Sequence, residues 1–132
     1  MKRSDARECA MKLVYEWEMG GDGGEDTRLN LLEIQPDDEN KPCVDELVAG
    51  VQAHADEVDR LISAHAIGWS LERITRVDLA ILRLAAYEMK FGGTPAAVAI
   101  NEAVEMAKKY STEKAGTFIN GVLGAIMRSE IQ

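Results

Sequence analysis

The chain has few of the residues and patterns that enzymes, metal proteins and secreted domains depend on. It carries only two cysteines, Cys9 and Cys43, far apart and without a second cysteine or histidine at metal-ligand spacing. They read as reduced thiols of a cytoplasmic protein. The two histidines, His54 and His65, are eleven residues apart, roughly 16 Å along a helix, too far to share one ion unaided. No apolar run approaches the length of a membrane span. Met1-Lys2-Arg3-Ser4-Asp5 leads into a charged amphipathic segment rather than the apolar core of a secretory signal. There is no alternating strand pattern and no internal repeat. A nucleophile elbow, a zinc spacing and a dinucleotide or phosphate loop are all missing. Gly20-Gly21-Asp22-Gly23-Gly24 with Glu25 and Asp26 lacks the Lys-Ser/Thr of a phosphate loop and the alternating ligands of a calcium loop, so it reads as a turn. These absences predict a protein that is not an enzyme and that needs no cofactor or metal.

Basic residues are also in deficit, with 15 Lys and Arg against 23 Asp and Glu and a net charge of -8. The deficit is local. Residues 16 to 60 hold 14 acids against 3 bases (Arg28, Lys41, Arg60), and the rest of the chain 9 acids against 12 bases. Such polarity permits a nucleic-acid surface on an acidic protein without demanding one.

What is present is helical periodicity over one domain's length, 132 residues. The stretch from Trp69 to Glu88 is organised around Val77-Asp78-Leu79-Ala80-Ile81-Leu82-Arg83-Leu84-Ala85-Ala86-Tyr87-Glu88. Val77, Ile81, Leu84 and Ala85 share one face; Leu79, Leu82, Ala86 and Met89 share another. A helix apolar around most of its circumference is a core helix packed from several sides. Thr75 with Asp78 marks its start and Gly92-Gly93 its end. Its charges, Asp78, Arg83 and Glu88, must emerge through gaps between neighbours, where function is to be sought. Asp5 to Met19 form a first helix, with Ser4 as N-cap. Lys2, Arg3, Arg7 and Lys12 lie at its start and Glu16 and Glu18 at its end, against the helix dipole, which suggests that they serve something outside the helix. Arg28 to Ile34 is a short helix at most, and Val44 to Ala66 one long helix with an acidic outer face. Thr94-Pro95 starts the next helix, with Thr94 as N-cap and Pro95 at its first position, and Glu105 and Lys109 form an i,i+4 pair. Ser111-Thr112-Glu113 starts the last, in which Asn120-Gly121 stays helical and Gly121 marks a close contact.

Three of these segments resemble one family. Arg3, Ala6-Arg7 and Tyr15 are similar to the first helix of the bacterial transcription antitermination factors of the NusB family. So is the Val77 to Glu88 segment to its central helix. Pro95-Ala96-Ala97-Val98-Ala99-Ile100-Asn101-Glu102-Ala103-Val104-Glu105-Met106-Ala107-Lys108 and Phe118-Ile119-Asn120-Gly121-Val122-Leu123 resemble its two most distinctive signatures, in order. The match is specific over residues 69 to 124, weaker over 3 to 17, and from 20 to 60 extends only to the helix layout.

The resemblance implies an all-α fold of about seven helices, in two small packed bundles around the buried central helix. It implies an RNA-binding adaptor of the RNA polymerase antitermination complex. With the ribosomal protein NusE it would bind boxA single-stranded RNA in ribosomal-RNA leaders. The family's RNA-contacting positions match Lys2, Arg3, Arg7, Tyr110 and Phe118, with Lys114 adding charge nearby. Its partner-contacting positions match Tyr15, Glu72 and Asp78. Ser4 and Asp5 interrupt the family's N-terminal arginine run, so weak RNA binding by the chain alone is expected. Two other readings compete. One is a helical protein–protein adaptor or homodimer without RNA affinity. The other is an accessory domain of an RNA methyltransferase, against which stands a chain with no room for a methyl-donor site.

Overall fold

A computed structural model describes residues 1–21, 24, 27–28 and 32–131. Six α-helices and one 3-10 turn make up its regular structure, and no strand occurs among the described residues. They are α1 (Arg3–Glu18), α2 (Lys41–Ala53), α3 (Ala55–His65), the 3-10 turn Leu71–Arg73, α4 (Arg76–Lys90), α5 (Ala96–Tyr110) and α6 (Glu113–Glu130). Most of the expected turn from Gly20 to Asp26, and the middle of the expected short helix from Arg28 to Ile34, lie outside the described residues.

The central helix is α4, which packs against all five other helices. Every residue from Asp78 to Met89 is buried. α1 and α2 pair on one side of it, α5 and α6 pair on another, and α3 bridges α4 and α6. Its start is fixed as expected, with Thr75 Oγ1 accepting the Asp78 backbone N–H at 3.3 Å. Past its end, Gly93 takes a positive φ of 73° and the Thr94 N–H returns to the Glu88 carbonyl at 3.1 Å. α1 stops in a left-handed turn: Gly20 has φ 94°, its N–H donates to Trp17 O, and the Gly21 N–H donates to Glu16 O at 2.9 Å. That pair of bonds satisfies carbonyls that the helix end would otherwise leave open.

Local chemistry differs from the sequence expectation at several points. Ser4 is not the N-cap of α1. The helix begins at Arg3, and the Asp5 carboxylate accepts the Lys2 backbone N–H at 3.0 Å. An acid in the first turn suits the dipole, so the residue that interrupts the basic run holds the helix start. Thr94 does not cap α5; its hydroxyl donates to Glu88 Oε1 at 2.9 Å. Glu105 pairs with Lys108 at 3.6 Å, leaving Lys109 for another partner. Gly121 is exposed with open space where a Cβ would stand. The close contact is at Gly50 instead, where a Cβ would meet Tyr87 Cζ at 2.1 Å.

The expected long helix from Val44 to Ala66 breaks at His54 (φ -111°, ψ 19°) into α2 and α3. Of the apolar stripe along this segment, Val44, Leu47, Val48, Val51, Val58 and Ile62 are buried and Ala55, at the bend, is half-buried, so the periodicity carries across the bend. The His54 ring stacks on Phe91, with centroids 4.0 Å apart and planes inclined by 11°. His65 Nδ1 lies 2.8 Å from Leu61 O and Nε2 2.6 Å from Ser129 Oγ.

Candidate functional site

A charge on a buried helix either finds a partner or is left for one. Of the three buried charges on α4, Asp78, Arg83 and Glu88, two are paired inside the molecule. Arg83 binds Asp59 through Nε (2.9 Å) and Nη2 (3.1 Å), and Glu18 through Nη1 (3.0 Å). Glu18 also accepts from Arg76 at 2.6 Å. Burial alone would push the Glu18 carboxyl up, but bonds from Arg83 and Arg76 outweigh this and hold it below its ordinary value. Glu88 takes the Arg7 Nε at 3.1 Å, and both side chains are less than a tenth exposed. Charges set against the dipole of α1 thus serve α4. Arg7 is accordingly no part of an exposed phosphate-binding edge: its guanidinium is turned inward onto Glu88, with Glu102 at 3.8 Å.

Asp78 differs. It is only 7% exposed, and its Oδ1 is the one buried side-chain oxygen or nitrogen among the described residues without a hydrogen-bond partner. An unsatisfied buried acceptor costs about 1–3 kcal/mol, and such a cost marks a place to look for a ligand. Asp78 lines a mainly apolar groove of about 600 Å³. One wall comes from the segment before α4, with Trp69, Arg73, Ile74 and Thr75; the other is the first turns of α6, with Lys114, Ala115 and Phe118. The Trp69 and Phe118 rings lie 5.7 Å apart at 60°. Trp69 is 49% exposed, with the Arg73 guanidinium 5.8 Å from its ring centre. Thr112 sets this wall by accepting the Ala115 N–H at 2.9 Å.

The structure therefore brings three of the expected residues together: Asp78, Lys114 and Phe118. Phe118 is half-buried, with part of it packed on the core. Glu72 is exposed on the 3-10 turn next to Arg73. Lys2 and Arg3 are exposed at the start of α1, and Tyr15 is half-buried toward its end. Tyr110 stands apart from the groove, in the seam between α1 and α5. Its hydroxyl donates to Glu8 Oε1, which also accepts Lys109 Nζ at 2.8 Å. Lys12 Nζ lies 5.0 Å and Lys109 Nζ 5.3 Å from the Tyr110 ring centre. This seam meets the groove through Ser111, since Thr112 lines the groove two residues on, within about 7 Å of backbone.

Four residues of these surfaces escape a reading of the sequence. Trp69 leaves one trace, an aromatic between Gly68 and Ser70 where the chain passes between helices. Arg73 leaves none; Lys12 shows only as part of the basic start of α1 and Lys109 only as an expected partner of Glu105, because the neighbours they actually meet belong to other elements. Among the described residues no group of three or more His, Cys, Asp or Glu side chains is placed to hold a metal ion. No helix is long and apolar enough to cross a membrane.

The sequence model of the NusB family matches residues 4–128. The transcription antitermination protein NusB of Acetivibrio thermocellus is 46% identical over 133 residues, covering 99% of this chain and 92% of that protein. The NusB of Thermoanaerobacter pseudethanolicus is 40% identical over 130 residues, covering 98% and 93%. Among solved structures, T. maritima NusB superposes with a TM-score of 0.86 at 32% identity, over 100% of this chain and 94% of that one. A chain from a crystal structure of antitermination factors NusB and NusE in complex with dsRNA superposes with a TM-score of 0.86 at 30% identity, over 96% of each.

Proposed function

The chain belongs to the NusB family of transcription antitermination factors, and from that premise we propose that it works as an adaptor for two partners that meet at one groove. Asp78 faces ribosomal protein NusE there, and the groove's aromatic rings and Lys114 take boxA-like single-stranded RNA. The pair then joins RNA polymerase in a cytoplasmic antitermination complex that reads through terminators. The protein contributes surfaces rather than a reaction, and its 132 residues act as one helical unit.

The observation that carries this reading is Asp78, a residue that lines the aromatic groove and whose buried Oδ1 finds no donor among the described residues. A carboxylate whose partner is missing, among otherwise paired buried charges, fits a hydrogen-bond donor supplied by another molecule. Glu72, exposed on the 3-10 turn, and the half-buried Tyr15 of α1 are the further residues assigned to the partner in this proposal. For RNA, Phe118 and Trp69 offer half-exposed rings on which a splayed base can stack. Lys114 and, at the start of α1, Lys2 and Arg3 supply charge for phosphates.

The test is a gel shift with a boxA-like RNA and a scrambled strand, with and without NusE, at fixed physiological salt. Binding by the chain alone should be weak, and NusE should tighten it for the boxA-like strand. Equal binding of both strands in the presence of NusE refutes the reading.

A further inference from the structure

The seam between α1 and α5 already holds an anionic oxygen in the manner of a phosphate site. Glu8 Oε1 receives the Lys109 ammonium at 2.8 Å together with the Tyr110 hydroxyl. The Lys12 ammonium lies over the same phenol ring at 5.0 Å. A non-bridging phosphate oxygen asks for the same set: an ammonium, a hydroxyl donor and a second positive charge nearby. The arrangement is not buried packing. Lys109 is 60% exposed, Lys12 is exposed, and Glu8 keeps a fifth of its surface open to solvent. Ion pairs this accessible contribute little to holding a fold. The Tyr110 ring, flanked by two ammonium groups and tied by its hydroxyl, serves these side chains rather than standing free as a stacking surface. Ser4, Glu8, Glu102, Glu105, Lys108 and Lys109 line the adjoining groove. Its glutamates keep the local charge low while the site is closed.

We propose that Lys12, Lys109 and Tyr110 form a binding site for a backbone phosphate of single-stranded RNA, and that Glu8 occupies this site in the RNA-free protein as a built-in competitor. The inference rests on the RNA-binding reading above. An incoming phosphate takes over the Lys109 and Tyr110 donors, and the Glu8 carboxylate swings into solvent. Position supports this, since the seam lies between the exposed Lys2 and Arg3 at the start of α1 and the aromatic groove reached through Ser111. RNA held at both ends would pass over it. The masking also gives a physical reason for weak binding by the free chain.

The experiment is fluorescence anisotropy with a labelled boxA-like RNA and its scrambled counterpart, in the presence of NusE, over a salt series. Glu8→Gln removes the competing charge, and affinity for both strands should rise by about three- to tenfold. In the Glu8→Gln/Lys109→Ala double variant the gain should vanish. Lys12→Ala and Lys109→Ala should each flatten the plot of log K against log salt by about 0.7. Glu46→Gln, which removes an exposed charge on α2, should give much less than the Glu8 gain. A gain that survives loss of Lys109, or that Glu46→Gln matches, means general electrostatics and overturns the site. So does an unchanged or lowered affinity of a Glu8→Gln protein with wild-type melting. Should Glu8→Gln fail to fold, the two lysine variants decide, and unchanged slopes overturn the proposal. Failure of the wild-type protein to prefer the boxA-like strand defeats the functional reading itself. Preference in the wild type with null variants defeats only the phosphate site.

Discussion

Arg7 and Glu88 meet where almost no solvent reaches, and removing one partner at that depth strands the other charge. Glu88→Gln or Arg7→Ala should therefore cost about 3–5 kcal/mol in urea melts. A loss under about 1 kcal/mol would mean that the pair is wetter than its burial indicates. Asp78 should behave in the opposite way. Its unpaired oxygen costs stability in the free protein, so Asp78→Asn should melt at or above the wild-type temperature. The same substitution should weaken NusE binding at least tenfold by calorimetry, since truncating a buried interfacial charge commonly costs about 2–5 kcal/mol. A variant that loses stability and keeps its partner would assign Asp78 to the fold instead. At this scale the sequence shows only part of the answer. That α4 is too apolar to hold unattended charges is readable from Val77 to Glu88. Which charge stays unattended is not, because the residues that satisfy the others, Arg7, Glu18 and Asp59, come from α1 and α3.

α4 is recognisable without a structure because its own residues determine its burial from all sides. Leu82, fully buried, should cost about 2–5 kcal/mol when cut to Ala. The division between α2 and α3 is not recognisable, since the heptad-like run Val44 to Ile62 reads straight through it. What sets the approach of α2 to the core is Gly50, over which the Tyr87 ring lies. Gly50→Ala would gain helix propensity in isolation, yet here the added methyl overlaps that ring. Overpacking should win, with a loss of about 1–3 kcal/mol. A double variant with Tyr87→Ala should show strong coupling between the two sites. Additive losses would mean that the ring simply moves aside. The junction of α1, α3 and α4 carries the acid sensitivity. Arg83 and Arg76 hold the folded pKa of Glu18 below its ordinary value near 4.5. That stability is present above the unfolded value and is lost as pH falls through the lower folded one. Thermal melts should thus drop below about pH 4.5, and Glu18→Gln should flatten that part of the profile. An unchanged slope there would assign the acid loss to other carboxylates.

Over the whole molecule, charge and stacking should separate in their response to salt. Lys2→Ala and Arg3→Ala should each flatten the salt dependence of RNA binding by about 0.7 if each meets one phosphate. Phe118→Ala should cost about 1–3 kcal/mol of binding and leave the slope unchanged. Because Phe118 also packs on the core, its melting temperature must be measured alongside, and a binding loss that tracks the melting loss would remove it from the RNA surface. Fold class and helix order are legible in this chain because helical periodicity is local, whereas the two surfaces are assembled from segments remote in sequence. That remoteness has a consequence in time. Arg7 waits for a carboxylate 81 positions later, and Glu8 for a phenol 102 positions later. A ribosome adding about 5–20 residues per second leaves α1 without α4 for roughly 4–16 s. During that interval α1 has only α2 to pair with, so Ala6, Ala10, Leu13 and Val14 lack the cover of α4, beside an arginine that Glu88 does not yet neutralise. Nascent chains arrested before Glu88 should be cut freely by protease throughout α1, and should become resistant only once α4 has left the exit tunnel.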